Sequence, residues 1–361
     1  MLPPITKPTF LVDEQIARRN IQRMAEKASR NHAVLRPHFK THQSAVVGGW
    51  FRDAGITSAT VSSADMAAYF AEAGWQDLLI AFPYNPLEAK KIGELARKIT
   101  LGITITTKAS LDQLNNQVKA PVNYYIKVDV GTHRTGVRPD DHQAIREMAE
   151  SKNPDHSLKG LVAHAGHTYK PLNQAEAKAI FQTSISDLNR VKNIIGKPDL
   201  MISYGDTPSC TLLEKFPGVD ELRPGNFVFY DTMQLSFGVC QLEDIAVCMA
   251  CPVVSIHPDR GEAVVYGGGV HFSKDFVMEP AGRSFGRVVS LEEEGWGYTV
   301  IANVDRLSQE HGILKGSEDF ISSLKIGELV GILPVHSCLT ADLQGHYLDL
   351  RGSRIEKLKR I

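Results

Sequence analysis

The sequence lacks an excess of either charge and lacks any long apolar run. Its 361 residues carry 40 Lys and Arg against 41 Asp and Glu, a formal net charge of −1. This balance points to no polyanion or acidic membrane surface as a partner, and the sequence has no basic stripe of the kind that nucleic-acid binders usually carry. No window approaches about 18 uncharged apolar residues, so no transmembrane helix is expected. The N-terminus also lacks the charged and apolar regions of a secretory signal.

The whole chain contains only five cysteines, which is an odd number. Cys248 and Cys251 have the C-x-x-C spacing of redox or zinc pairs. However, the flanking apolar residues are typical of a buried strand, and no second ligand pair follows. We therefore expect reduced thiols in a cytoplasmic protein.

Short apolar runs alternate with helical patterns over the first two-thirds of the chain. The apolar runs span residues 10–12, 34–39, 58–62, 77–82, 101–106, 122–128, 158–164 and 200–204, with another near 227–230. The helical patterns span residues 13–29, 64–73, 86–97, 110–118, 140–149 and 173–194. This alternation predicts parallel strands joined by crossover helices. Roughly eight such units suit a closed (β/α)8 barrel. An open doubly wound sheet is the alternative, although no G-x-G-x-x-G motif follows the first strand.

The pattern changes after about residue 236, where helical periodicity almost vanishes. β-like segments at residues 240–256, 263–266, 286–291, 297–302, 329–335 and 346–350 are separated by turn-forming residues. The sequence thus predicts an α/β fold with two domains. A (β/α)8 barrel covers residues 8–236, and a mainly-β domain covers residues 237–361 together with residues 1–7.

The segment RPHFKTHQS, residues 36–44, follows the second predicted strand. The C-terminal strand ends of a barrel form its active-site face. A desolvated lysine there can act as a nucleophile or base, although a lysine after a strand is ordinarily just solvated.

This segment resembles the cofactor-lysine motif of the D-serine dehydratase and D-threonine aldolase group. That group belongs to the alanine-racemase-like, fold-type III class of pyridoxal-phosphate enzymes. Further motifs carry the resemblance in the family order along nearly the whole chain, at residues 128–137, 164–169, 205–209, 221–226, 307–312 and 334–338. The resemblance implies that Lys40 binds pyridoxal 5'-phosphate covalently.

The resemblance also implies where the phosphate group binds, with Thr207, Gly225 and Asn226 as its contacts. Gly225 allows close backbone approach, and the turn at Thr207 can open a short helix whose N-terminus attracts phosphate. Without the resemblance, both segments could equally be ordinary turns.

Other residues are expected to contact the cofactor ring. By resemblance, Arg134 lies near the phenolic oxygen, where an arginine stabilises the phenolate, and Arg223 faces the pyridine nitrogen. Tyr169 is predicted to contact the ring or the substrate, and Tyr204 is a further predicted cofactor contact. For Tyr169, packing and hydrogen bonding are the alternative.

His336 and Cys338 are two residues apart on a predicted strand, which places their side chains on one face. Imidazole and thiolate together favour zinc, although a buried cysteine beside a core histidine is commoner. The pair resembles the zinc ligands of D-serine dehydratases, whereas the metal-dependent aldolases generally have Asp in place of this cysteine. Asp342 and His346 offer no convincing third ligand.

The resemblance therefore implies a pyridoxal-phosphate- and zinc-dependent D-serine dehydratase that gives pyruvate and ammonia, with Lys40 abstracting the α-proton. The alternative is a D-threonine or D-3-hydroxyaspartate aldolase, in which His167 takes the proton of the β-hydroxyl group. A racemase is less favoured because the lysine motif differs from that of alanine racemases. The β-domain with its metal pair argues against a non-catalytic carrier of the cofactor. By resemblance we expect a homodimer that takes a small D-amino acid.

Overall fold

A computed structural model of the protein describes residues 4–280 and 282–359. The strands in these residues, numbered in chain order, are β1 (Thr9–Val12), β2 (Val34–Leu35), β3 (Ser58–Val61), β4 (Asp77–Pro83), β5 (Thr100–Ile105), β6 (Val122–Lys127), β7 (His156–Ala163), β8 (Met201–Tyr204), β9 (Glu221–Leu222), β10 (Val247–His257), β11 (Glu262–Tyr266), β12 (Val277–Glu279), β13 (Gly282–Ser284), β14 (Gly286–Val289), β15 (Leu291–Glu292), β16 (Gly295–Trp296), β17 (Ala302–Leu307), β18 (His311–Gly316), β19 (Leu329–Pro334), β20 (His346–Asp349) and β21 (Arg354–Glu356).

The α-helices are α1 (Glu14–Arg30), α2 (Ala45–Asp53), α3 (Ala64–Glu72), α4 (Ala89–Ala96), α5 (Lys108–Gln117), α6 (His142–Ala149), α7 (Gln174–Ile195), α8 (Thr207–Leu212), α9 (Thr232–Ser236), α10 (Gly269–Phe272), α11 (Glu318–Ser323) and α12 (Ser337–Leu343). Short 3-10 helices occur at Pro86–Glu88, Gly166–Thr168, Asn226–Val228, Leu242–Asp244 and Pro258–Arg260. None of the helices in the described residues is long and apolar enough to cross a bilayer.

The chain divides into two compact units. The barrel unit comprises Gln22–Lys40 and Gly48–Gly225, and the β unit comprises the segment that ends at Ile21, Thr41–Val47 and the segment from Asn226 onward. The predicted boundary at residues 236 and 237 therefore lies later in the chain than the observed one. Residues 8–21 and 41–47, which were predicted to lie in the barrel, belong to the β unit.

The barrel unit contains eight parallel strands in the order β2-β9-β8-β7-β6-β5-β4-β3. A parallel bridge between His38 and Thr60 joins the segment after β2 to β3, and the Phe39 N–H donates to the Thr60 carbonyl at 2.9 Å. These contacts close the ring, so the predicted (β/α)8 barrel is confirmed and the open sheet is excluded. The eighth strand is β9, whereas the run predicted near residues 227–230 begins within a 3-10 helix.

Local sequence signals account for the helix ends of this unit. Helix α7 begins with a capping box, in which the Asn173 side chain accepts from the Glu176 N–H and the Glu176 carboxylate accepts from the Asn173 N–H. It ends at Gly196, whose φ of 74° is left-handed and suits glycine. Inside the barrel, Leu79, Tyr125 and Val162 form a buried cluster.

The β unit is built on a nine-stranded sheet in the order β11-β18-β17-β14-β19-β10-β1-β20-β21, in which β10 and β11 also pair. All of its neighbouring strands are antiparallel except β1 and β20. This confirms the predicted mainly-β domain. The strand predicted at residues 10–12 forms as β1, but it pairs with β10 from Thr9 opposite Ala250 to Val12 opposite Val247.

Candidate active site

Lys40 lies at the rim of the barrel, two residues beyond the bridge that closes it. The preceding residue, Phe39, is fully buried, with its ring 4.8 Å from the rings of both Phe70 and Trp75. Lys40 itself is exposed, and its backbone N–H donates to His38 Nδ1 at 3.3 Å. The buried phenylalanine therefore anchors the segment while the lysine side chain remains accessible.

Several cations lie around this rim. Lys127 ends β6, Arg134 is exposed in the loop that follows, and Arg223 is buried just after β9. Burial, then the charges of Arg223 and Arg134, lower the pKa of Lys127 to about 8, against the opposing charge of Asp129. The site is thus electropositive, which suits a ligand with phosphate and phenolate groups.

His164, at the end of the next strand, is a neutral member of the same site. Burial lowers its pKa to about 3, and the charges of Lys40, Arg134 and Lys127 act in the same direction, against a hydrogen bond to Gly205. Its Nδ1 lies 2.8 Å from the Gly205 carbonyl. Lys127 and His164 were not predicted as site residues, although both end predicted strands, the same signal that selected Lys40.

Arg223 is fixed by a buried network inside the barrel. Its Nε donates to Ser203 Oγ at 2.6 Å, and its Nη2 donates to the Ala163 carbonyl at 2.6 Å. The Ser203 hydroxyl in turn donates to Glu221 Oε1 at 2.5 Å. The other Glu221 oxygen accepts from Arg36 Nε at 2.5 Å. Burial lowers the pKa of Arg223 against the charge of Glu221, and these hydrogen bonds set the orientation of Arg223 before any ligand binds.

The turn after β8 packs closely against Arg223. A Cβ atom at Gly205 would lie 2.7 Å from the Arg223 backbone, so the close approach requires glycine. Asp206 then caps helix α8 by accepting from the Ser209 N–H at 2.6 Å. The Thr207 N–H donates to Tyr169 Oη at 3.3 Å. The structure therefore brings together three predicted site residues, Tyr169, Thr207 and Arg223.

His167 lies beside the loop that carries Arg134. Its Cε1 would be 3.3 Å from a Cβ atom at Gly131. The buried Nδ1 of His167 has no hydrogen-bond partner within the part of the chain that the structure describes. Burial, then the charge of Lys170, lower the pKa of this half-buried histidine, so it is available as a neutral base.

Tyr204 does not join these residues. Alternation along β8 directs Ser203 to the network of Arg223 and turns Tyr204 to the opposite, helix-facing side. The Tyr204 ring packs on Phe181 of helix α7 at 5.3 Å, and its hydroxyl lies 3.1 Å from Ser209 Oγ. The prediction that Tyr204 contacts the cofactor is therefore wrong, because the tyrosine is part of the helix-packing core.

The predicted metal pair lies in the β unit, but not on a strand. Strand β19 ends at Pro334, and His336 is the N-cap of helix α12. Asp231 Oδ2 accepts from the Ser337 N–H at 2.9 Å, and the Thr340 N–H donates to the His336 carbonyl at 3.0 Å. These bonds start a helix where alternation suggested a strand. The two side chains nevertheless interact, because Cys338 is among the groups that raise the pKa of His336.

Asp275 supports the histidine of this pair. Its Oδ2 lies 2.8 Å from His336 Nδ1, which leaves Nε2 for a metal ion. Burial opposes protonation of His336, but hydrogen bonds to Asp275 and Cys338 outweigh it and raise its pKa to about 11. The same bond to His336 lowers the pKa of Asp275. The site is therefore one that stabilises a cation, and its imidazole and thiol donors fit zinc.

Within residues 4–280 and 282–359, there is no cluster of three or more His, Cys, Asp or Glu side chains that could hold a metal ion. His336 and Cys338 remain the predicted pair of ligands, and two protein ligands would leave positions on a metal ion for water or substrate oxygen.

Asn226 contacts the cysteine of this pair. Its Nδ2 lies 2.7 Å from Asp231 Oδ2, 2.9 Å from Ser337 Oγ and 3.5 Å from Cys338 Sγ. The amide donor is therefore engaged within the β unit, which leaves only the backbone of Asn226 for the predicted phosphate contact. Gly225 is buried at the end of the barrel unit, and its role remains a prediction.

Comparison with known proteins agrees with this arrangement. The family model described as "Alanine racemase, N-terminal domain" matches residues 12–232, and the chain belongs to that family. A second model, "Putative serine dehydratase domain", matches residues 246–349. The structural expectation of an alanine-racemase-like fold is thereby confirmed.

The relatives are similar over nearly their whole length. A D-serine dehydratase of Dictyostelium discoideum is 28% identical, with 95% of this chain and 93% of the relative covered. A D-threo-3-hydroxyaspartate dehydratase of Delftia sp. is 27% identical, with 92% and 91% covered. The solved structure of the latter enzyme superposes with a TM-score of 0.91 at 26% identity, covering 99% of this chain and 98% of that one.

Proposed function

We propose that the protein is a pyridoxal-phosphate- and zinc-dependent lyase that dehydrates D-serine, with pyruvate and ammonia as the final products. The observation that carries the proposal is the His336–Cys338 pair with Asp275 on the imidazole, in a chain similar to D-serine and D-threo-3-hydroxyaspartate dehydratases. By the resemblance, a cysteine at this position favours a dehydratase over an aldolase.

The residues that would hold pyridoxal phosphate are in the barrel unit. Lys40 would bind its aldehyde carbon, Arg134 and Arg223 would face its phenolic oxygen and ring nitrogen, and Thr207 and Gly225 would contact its phosphate. The cationic rim and the exposed lysine support this assignment. When bound, the cofactor withdraws electrons from the α-carbon of an amino acid.

The protein's own groups then move and hold protons. We propose that Lys40 Nζ accepts the α-proton of the substrate, because an amine at the rim of the barrel is accessible to it. Arg223 needs no rearrangement to act, since Ser203 and the Ala163 carbonyl already fix its guanidinium group. Tyr169 lies beside the Thr207 N–H and would border the substrate.

His336 Nε2 and Cys338 Sγ would hold the zinc ion. When bound, zinc supplies Lewis acidity that makes a β-hydroxyl group a better leaving group. Asp275 orients the imidazole, and the two-ligand set leaves room for a substrate oxygen.

A product assay tests the proposal. D-serine, D-threonine and D-3-hydroxyaspartate are each incubated with the cofactor-loaded enzyme, with and without a chelator. We expect a keto acid and ammonia from D-serine, and loss of turnover when the chelator is present. Glycine and an aldehyde as the main products would instead establish the aldolase alternative, with His167 as the proposed base. No turnover of any of the three would contradict both.

We also propose that the protein forms a homodimer, as the resemblance implies. The β unit exposes several large apolar side chains, among them Phe276, Leu339 and Met278, the last with 69% of its surface accessible. Apolar side chains that a lone subunit exposes become buried where they form part of a subunit interface. Light scattering on the purified protein should give twice the chain mass, and a monomeric mass would contradict the proposal.

A further inference from the structure

The residues that follow Lys40 are fixed within the β unit. Gln43 Nε2 donates to Asp342 Oδ1 at 2.9 Å, and Ser44 Oγ donates to the Glu356 carbonyl at 2.5 Å. Tyr347 Oη donates to the His42 carbonyl at 2.7 Å. These bonds attach Thr41–Val47 to helix α12 and to the C-terminal strands. Thr41, the first residue of the segment, is fully buried.

The Thr41 hydroxyl contacts the cysteine of the metal pair. Thr41 Oγ1 lies 3.2 Å from Cys338 Sγ, and Asn226 Nδ2 approaches the same sulfur at 3.5 Å. A cysteine that binds a metal is a thiolate and has no proton to donate. With a metal bound, therefore, Thr41 has to be the donor and the sulfur the acceptor.

We propose that Thr41 is a positioning residue for the metal site, whose hydroxyl orients the Cys338 thiolate and reduces its electron donation to the metal. A hydrogen bond to a metal-bound sulfur withdraws electron density from it, and hydrogen bonds to cysteine sulfur tune other metal centres. The metal ion then remains more electrophilic toward a substrate oxygen. This inference rests on the proposed function only in taking His336 and Cys338 as the metal ligands.

The position of Thr41 in the sequence matters as well as its contact with Cys338. Thr41 directly follows Lys40, so a single short segment supplies both the proposed cofactor lysine and the hydroxyl that tunes the metal ligand. The threonine in RPHFKTHQS therefore has a role that the resemblance did not assign.

Cobalt substitution tests this role, because a cobalt–thiolate bond absorbs light through sulfur-to-metal charge transfer. The cofactor-loaded protein is freed of metal with a chelator and titrated with Co²⁺ as wild type, Thr41→Val and Thr41→Ser. For Thr41→Val, we expect roughly tenfold weaker cobalt binding, because the thiolate is no longer held in its orientation and this loss outweighs the gain in electron donation. We also expect a charge-transfer band at longer wavelength, because the sulfur electrons are held less tightly. Thr41→Ser keeps the hydroxyl and should restore both properties.

Thr232→Val is the matched control. Thr232 is a fully buried threonine of the same unit, and its hydroxyl donates to the Pro334 carbonyl at 3.3 Å, not to the cysteine. This variant should leave the cobalt band unmoved, which separates a loss of packing from the loss of the thiolate hydrogen bond. Thr41→Ala replaces Thr41→Val if the valine variant does not fold, and the same band shift is expected of it.

The outcomes separate this inference from the proposed function. A band and an affinity unchanged in Thr41→Val, beside a wild type that binds cobalt through sulfur, would overturn the role of Thr41 alone. A wild type without a thiolate band would overturn both the metal pair and this inference. A shifted band in a protein that turns over no D-amino acid would support the inference and contradict the proposed function.

Discussion

His336 Nδ1 and Asp275 Oδ2 are joined by a hydrogen bond of 2.8 Å, and this bond decides which ring nitrogen of the histidine can bind a metal. With Nδ1 committed to the carboxylate, Nε2 is the available ligand. Sixty-one residues separate the two partners.

Replacing Asp275 should therefore weaken the metal site. We expect Asp275→Asn to lower zinc affinity by about 10–100-fold, because the amide no longer fixes the ring or increases its basicity. Competition with a chromophoric chelator measures the affinity. Asp259→Asn, which changes an exposed carboxylate of the same unit, should bind zinc as the wild type does. Equal affinities for Asp275→Asn and wild type would refute the supporting role of Asp275.

The network around Arg223 gives a second prediction. In Ser203→Ala, Glu221 Oε1 loses its hydroxyl donor while remaining buried, and Arg223 Nε loses its acceptor. We expect a loss of about 1–3 kcal/mol in the free energy of unfolding. We also expect roughly tenfold weaker pyridoxal-phosphate binding, equivalent to about 1.4 kcal/mol.

Denaturant titration and cofactor titration of the apoprotein measure the two effects of Ser203→Ala. Ser323→Ala removes an exposed hydroxyl that donates only to the Phe320 carbonyl, and its stability should stay within about 0.5 kcal/mol of wild type. Unchanged cofactor affinity in a destabilised Ser203→Ala protein would mean that the network supports the fold and not the ligand.

Two glycines of the barrel unit make a matched pair. Gly205→Ala should impair both folding and cofactor binding, since the new Cβ would lie 2.7 Å from the Arg223 backbone. Gly49 lies in helix α2, where a Cβ atom would meet no heavy atom of the described residues within 4 Å beyond its chain neighbours and the backbone of its own helix. Gly49→Ala should therefore stabilise the protein by about 0.5–1 kcal/mol. Thermal melting and cofactor titration distinguish the two. Normal cofactor binding by Gly205→Ala would contradict the close approach.

Acid should destabilise the protein through His42. Burial lowers its pKa to about 3 from the usual 6.5. Between these values the unfolded chain binds a proton that the folded chain does not, so stability falls as the pH falls from 6.5 toward 3. At about pH 5 the loss amounts to about 2 kcal/mol.

Urea titrations near neutral pH and about pH 5 measure this loss. For His42→Asn, the decrease in stability between the two conditions should be about 2 kcal/mol smaller than for wild type. His32→Asn alters a histidine outside the buried core and should keep the wild-type decrease. An equal decrease in all three proteins would contradict the assignment to His42.

The sequence pattern was sufficient for the barrel because parallel strands and crossover helices repeat locally. The pattern did not predict the sheet to which a strand belongs where its partner strand is distant in the chain. Residues 10–12 have the pattern of a first barrel strand, yet β1 pairs with β10, more than 200 residues later in the chain. No local signal distinguishes these alternatives, because an apolar strand of four residues fits either sheet.

Among the site residues, too, local signals are visible in the sequence and contacts between distant residues are not. Lys40, Tyr169, Thr207 and Arg223 were predicted from strand ends and motifs, and His336 and Cys338 from their spacing and family order, and the roles of all six remain predictions. Asp275 could not be predicted, because its partner is reached only through tertiary contacts. Tyr204 was misassigned because proximity to a motif does not reveal which side of a strand a side chain faces.

The most direct test of the whole account is to identify the lysine that binds the cofactor. The holoenzyme is reduced with borohydride and digested, and the peptide that carries the phosphopyridoxyl group is sequenced by mass spectrometry. We expect the label on Lys40, and no label in Lys40→Ala. A label on Lys127, the neighbouring rim lysine whose pKa is lowered to about 8, or no label at all, would contradict this expectation.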